Sequence, residues 1–135
     1  REVTGLKVVN IDINNYDRIH ADISIPAATP EEFVSYIKHA EYVITNSFHC
    51  TAFSVLFKKS VFVIKKRLSN SRMESLLSIV GLKERIVSFK DVEKMPIDKY
   101  KADYSGGYEN LEVFIKESKS YLHSALGSTE NELQM

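Results

Sequence analysis

Apolar residues in this chain alternate between short β-branched runs and stretches with helical spacing. Leu6-Lys7-Val8-Val9-Asn10-Ile11 reads as a first strand. Asp12 to Ala28 is a long connection, and loops of that length inside a domain are functional or hide a short element. Thr29-Pro30-Glu31-Glu32 opens a helix: Thr29 caps, Pro30 suits the first helical position and Glu32 completes a capping box. Phe33, Tyr36, Ile37 and Ala40 then share one face. Tyr42 to Thr45 is a second strand, and a helix follows from Phe48 to Phe57 with Ser47 as its cap. Val61-Phe62-Val63-Ile64 is apolar at every position, as a strand buried on both faces should be. Lys65 to Asn70 is a basic, polar loop. Ser71-Arg72-Met73-Glu74 has the form of a second capping box, with Met73, Leu76, Leu77 and Val80 on one face and Gly81 as terminator. Arg85 to Phe89 reads as a fourth strand and Lys90 to Gly107 as mostly irregular. A long helix runs from Glu109 to Leu126, with Leu111, Phe114, Ile115, Ser118 and Leu122 on one side and Gly127 as its stop. The tail 128–135 is polar and expected to be disordered.

Strands alternating with helices predict an α/β domain, a Rossmann-like parallel sheet flanked by helices and joined by right-handed crossovers. Every strand-to-helix turn then lies on one sheet edge, where ligands bind in open α/β folds. That edge collects Asp12 to Asn15, Asn46 to His49 and Lys65 to Arg72. It also gathers helix N-termini, whose free N–H groups favour anions.

Composition narrows the function classes. The 135 residues suffice for one domain with a real core. Eighteen basic residues balance eighteen acidic ones, so no global field points to nucleic acid or anionic lipid. One cysteine excludes an internal disulfide framework and fits a reducing, cytoplasmic setting. No apolar run approaches the roughly 20 residues of a membrane span, and no signal peptide is visible. The chain opens at Arg1 and runs almost directly into a strand, which suggests a piece of a longer protein. His20, His39 and His123 are scattered without ligand spacing, so no metal site is expected.

The chemistry-bearing residues each have a bland alternative. His49, at the junction of a buried strand and a helix, is either a ligand-facing acid–base group or a histidine hydrogen-bonded at a helix start. Ser47 reads as a cap rather than a nucleophile, because neither a glycine elbow nor a placed acid partner accompanies it. Asn46 either orients a ligand or supports the turn. The guanidinium forks of Arg67 and Arg72 suit carboxylate and phosphate, but both are equally consistent with a solvated basic loop. Lys65 and Lys66 read as surface residues. Cys50, without a partner, reads as a small packing residue. Tyr104 and Tyr108 could stack on a sugar, or belong to the core.

The run from Ala40 to Ser54, Ala-Glu-Tyr-Val-Ile-Thr-Asn-Ser-Phe-His-Cys-Thr-Ala-Phe-Ser, resembles the signature of polysaccharide pyruvyl transferases. That signature is a strand, then Thr-Asp/Asn-Ser-Phe-His-Gly, then a helix carrying Phe-Ser. Pro30-Glu31-Glu32-Phe33, Arg72-Met73-Glu74-Ser75-Leu76-Leu77 and Gly81-Leu82-Lys83-Glu84-Arg85 fit it too, so the resemblance covers roughly residues 25 to 90 and, more weakly, the last helix. It implies one half of a two-part fold similar to the B-type glycosyltransferases, with residues 1–127 as the C-terminal Rossmann-like half and the active site facing an N-terminal half. It implies transfer of pyruvate from phosphoenolpyruvate to a sugar hydroxyl pair as a ketal, with no cofactor or metal. The partners would be phosphoenolpyruvate, a saccharide acceptor (free or lipid-linked) and the missing half, without which the chain should not turn over. His49 would be the catalytic acid–base or hydrogen-bond donor group, and Asn46, Ser47, Arg67 and Arg72 would bind the donor. Cys50, where glycine is usual, and Gly106-Gly107 depart from the pattern.

Two other readings stay open. A nucleotide-sugar-binding half of a B-type glycosyltransferase would need an acid for the ribose hydroxyls, for which Asp91 is the obvious candidate. A non-catalytic anion-binding module would leave His49 buried or turned from the crevice.

Overall fold

A computed structural model describes residues 4–11, 20–65 and 70–127. The predicted Asp12–Asn15 turn, Lys66, Arg67 and the tail from Ser128 lie outside the described residues.

The strands are parallel, as the β/α alternation requires, but they divide over two sheets rather than one. The first sheet pairs β1 (Val9–Ile11) with β2 (Ile23–Ile25) in parallel. β2 is the short element hidden in the long connection. Its approach is fixed by Asp22, whose N–H donates to the Val8 carbonyl at 2.9 Å while its carboxylate accepts the Val8 N–H at 2.8 Å. The second sheet has the order β3 (Tyr42–Thr45), β4 (Ser60–Ile64), β5 (Ile86–Val87), all parallel. Thr45 pairs with Val63, so these neighbouring strands end together, as expected.

The helices are α1 (Pro30–His39), α2 (Phe48–Leu56), α3 (Ser71–Ile79), α4 (Phe89–Lys94) and α5 (Tyr108–Leu126). α1 starts with the predicted capping box, Thr29 accepting from Glu32 N–H and Glu32 accepting from Thr29 N–H, worth about 1 kcal/mol. α3 differs. Its cap is Asn70, which makes no side-chain cap hydrogen bond, and Ser71 is already helical. The proposed fourth strand is also corrected. Lys83–Arg85 form a 3-10 turn, and only Ile86 and Val87 pair with β4. Ser88, within that expected strand, instead caps α4 through a Ser88–Asp91 box that runs into the stretch expected to be irregular.

Alternation along β4 sends Val61 and Val63 to one face and Phe62 to the other. Val61 and Val63 are fully buried with Val43 and Ile86, under Ile37 of α1, Val55 of α2 and Met73 and Leu77 of α3. Phe62 lies beneath Tyr100, with ring centroids 6.0 Å apart, and beneath the Arg85 guanidinium, 5.0 Å from its centroid. Arg85 is buried and donates to the carbonyls of Tyr100 (2.9 Å) and Lys101, clasping that segment to the sheet. No residue of β1 or β2 joins the buried core. Of the apolar face of α5, Leu111 alone is buried, while Phe114, Ile115 and Leu122 are exposed. No described helix is long and apolar enough to cross a membrane.

Candidate functional site

The turn from β3 into α2 is built by its own hydroxyls. Thr45 Oγ1 accepts the Ser47 N–H at 3.0 Å, which folds the chain back as the strand ends. Ser47, in extended geometry, caps α2 by accepting the Cys50 N–H at 3.4 Å. Thr51 donates its hydroxyl back to the Ser47 carbonyl at 2.8 Å, and its own N–H reaches the same oxygen at 3.0 Å. The Phe48 and His49 amides meet no acceptor among the described residues. They are the orphan donors of a helix start.

His49 is exposed, on the first turn of α2. A buried ring, one of the two findings that would favour the non-catalytic reading, is therefore not what the structure has. Its imidazole packs against Phe48 with centroids 5.9 Å apart and planes at 72°. The Arg72 guanidinium carbon lies 5.0 Å from the centroid of the same Phe48 ring. Those two distances hold the imidazole and the guanidinium within about 11 Å of each other. Arg72 is exposed in the first turn of α3, and among the described residues no carboxylate pairs with it. Asn46 is exposed at the tip of the turn and makes no side-chain hydrogen bond to a described residue. The structure thus brings Asn46, Ser47, His49 and Arg72 to one edge; Arg67 lies outside the described residues.

Thr45 and Phe48 escaped the sequence reading. The sequence places Thr45 at the end of a strand and Phe48 at the start of a helix, both inside the signature, with no role of their own.

Other candidates resolve as structural. Cys50 is buried, and burial pushes its thiol up despite hydrogen bonds with Thr45 and Ser54, so it is a packing residue rather than a nucleophile. Tyr104 is buried and donates to the Lys59 carbonyl at 2.7 Å, while Tyr108 donates to the Leu56 carbonyl at 3.3 Å; both belong to the fold, not to a sugar platform. The Asp91 carboxylate accepts from Ser88 N–H (2.8 Å) and Ser88 Oγ (2.6 Å), which holds it below the usual carboxylate range. A carboxylate spent on a helix cap is poorly placed to receive ribose hydroxyls. Among the described residues, no group of three or more His, Cys, Asp or Glu could hold a metal ion. An open groove of about 530 Å³ on α1, lined by Pro30, Glu31, Val34, Ser35, Lys38 and His39, contains none of the candidate residues. Its lining comes from one helix, so it is a surface depression rather than an active-site cleft.

Compared with known proteins, residues 1–65 match the family model for polysaccharide pyruvyl transferases. This is the family whose signature the β3–α2 turn resembles, and the resemblance is thereby shown. The matched stretch lies in the N-terminal part of this chain. It reaches back through Leu6–Ile11 and stops short of Arg72 and of Gly81–Arg85, so its extent differs from the residues on which the resemblance was drawn. No curated protein and no solved structure matches the chain.

Proposed function

We propose that this chain is the donor-side, C-terminal half of a polysaccharide pyruvyl transferase, moving pyruvate from phosphoenolpyruvate onto a pair of sugar hydroxyls as a ketal. The observation that carries the reading is the turn at Ser47, inside the family-matched stretch. There an exposed His49 and two amides without an acceptor among the described residues share one edge with the guanidinium of Arg72, which lies beyond the matched stretch.

The reaction asks for what such an edge holds. A proton must reach the methylene carbon of the enol phosphate, which leaves its central carbon open to a first sugar hydroxyl. A second hydroxyl then attacks the same carbon as its bond to the phosphate oxygen breaks. Of the two hydroxyl protons, one balances the new methyl group and the other leaves with phosphate. His49 is the group for proton transfer, or for donating a hydrogen bond to the departing phosphate. The Phe48 and His49 amides at the positive end of α2 and the fork of Arg72 hold the donor's two anionic groups. Arg67 adds a second guanidinium in this reading. Acceptor contacts come from the half outside this chain.

The nucleotide-sugar reading loses its acid to the α4 cap. Phosphoenolpyruvate titration, followed by nuclear magnetic resonance on the isolated chain, separates what remains. Saturable shifts centred on the amides of Ser47–Cys50 and on Arg72 are expected. Shifts confined to other surfaces, or none at millimolar donor, would overturn the proposal.

A further inference from the structure

Phe48 touches both candidate chemical groups, yet nothing in the reaction needs a phenyl ring. Its ring is half-buried and packed on the core cluster, so it is the fixed member of the group. The other two members are exposed. A free arginine side chain samples many rotamers, and closing it on an anion costs the entropy of that freedom. The ring face restrains it: the Arg72 carbon sits 5.0 Å from the centroid, inside the range of cation–π attraction. The imidazole of His49 rests against the same ring at 5.9 Å, so its orientation depends on that surface as well. Phe48 occupies the first position of α2, and its ring and its amide therefore move together.

We propose that Phe48 is a positioning residue for the anion site. It preorganises the Arg72 guanidinium across the gap between α2 and α3, so that a phosphate or carboxylate held by the α2 amides meets a charge already in place. This rests on the donor-site reading for its function, but the contact itself is independent of that reading. Phe48 acts through Arg72 and touches no reacting atom. Its loss therefore weakens anion binding more than it slows any chemical step.

The test uses Phe48→Leu, which keeps apolar bulk, and Phe48→Trp, which keeps an aromatic face. Urea unfolding first establishes that both fold. In the unsubstituted chain, ring current moves the Arg72 side-chain N–H signals upfield of their free-peptide position. Phe48→Leu abolishes that displacement and Phe48→Trp retains it. With inorganic phosphate as the probe, Phe48→Leu weakens binding about two- to fivefold, the scale of one exposed cation–π contact, and Phe48→Trp restores it. Unchanged Arg72 signals in Phe48→Leu would overturn the proposal. So would equal loss of phosphate binding in both variants. If the unsubstituted chain shows the upfield Arg72 signals but binds neither phosphate nor phosphoenolpyruvate, the donor-site reading falls and the placement of Arg72 by Phe48 stands.

Discussion

Replacing Gly107 by alanine should destabilise the protein far more than the same change one residue earlier. A Cβ at Gly107 would lie 2.4 Å from the Val80 carbonyl carbon, 2.6 Å from its oxygen and 2.8 Å from the Gly81 nitrogen. Carbon contacts relax only near 3.5 Å, so the gap must open by about 1 Å. All three obstructing atoms are backbone, and no rotamer change relieves them. They belong to the end of α3, where Val80 is fully buried and Gly81 takes a left-handed φ of 73°. The last turn of α3 must therefore part from the first turn of α5, disturbing the packing of Leu111 and Tyr104. Overpacking of this kind costs about 1–3 kcal/mol. With a urea slope of about 2 kcal/mol/M, a loss of about 2 kcal/mol lowers the unfolding midpoint by about 1 M. At Gly106 an added Cβ meets nothing within 4 Å, so alanine there should stay within about 0.5 kcal/mol. Equal urea midpoints for the two variants would refute the close approach and with it the docking of α5 on α3.

In the catalytically complete protein, His49→Ala should lower turnover on the order of a hundredfold or more and change donor affinity less; near-normal turnover in steady-state kinetics would refute its role. Tyr104, pushed up to about 12 chiefly by burial, should ionise only near that value in an ultraviolet titration, and its loss in Tyr104→Phe should remove that step. Its folded value is raised, so the stability tied to the neutral phenol is complete below about 10 and lost as pH rises toward 12. Asp91 has the opposite sign: its hydrogen bonds with Ser88 lower it from 3.8, so its contribution is present above that value and lost as pH falls through the lower folded one. Ser88→Ala should raise the Asp91 carboxyl titration seen by carbon resonance, and an unmoved titration would place the carboxylate elsewhere.

Local patterns revealed what local forces decide. The Thr29–Glu32 box, the Ser47 cap, the uniformly apolar β4 and the Gly127 stop all formed where the residues indicated. The misses have physical reasons. Ser71-Arg72-Met73-Glu74 read as the capping box, but Asn70 is an equally good cap type one residue earlier, and the helix takes it there instead. Ser88 and Phe89 continued an apolar run and read as the end of a strand, with Lys90 onward as irregular, yet Ser88-Phe89-Lys90-Asp91 makes a capping box, and the helix won. β2 is three residues long, below what alternation can signal. The burial of Arg85 depends on carbonyls fifteen and sixteen residues away, which no local window contains.

The site divides along the same line. Ser47 and His49 were legible because a capping serine and the residues after it share one helical turn, and that geometry is local. What relates His49 to Arg72 is not. They are joined only because β3 and β4 are parallel neighbours, which brings the starts of α2 and α3 side by side and lets one phenyl ring reach both. The sequence named the imidazole and the guanidinium but gave the ring between them no role, because an apolar side chain next to a helix cap has every local reason to be core. Phe48 meets that expectation with one side of its ring environment and departs from it with the other, being packed on the cluster beneath and covered by two polar groups above. A residue of this kind adds affinity by limiting the freedom of its neighbours rather than by contacting the ligand, and it becomes visible only once the neighbours are in place.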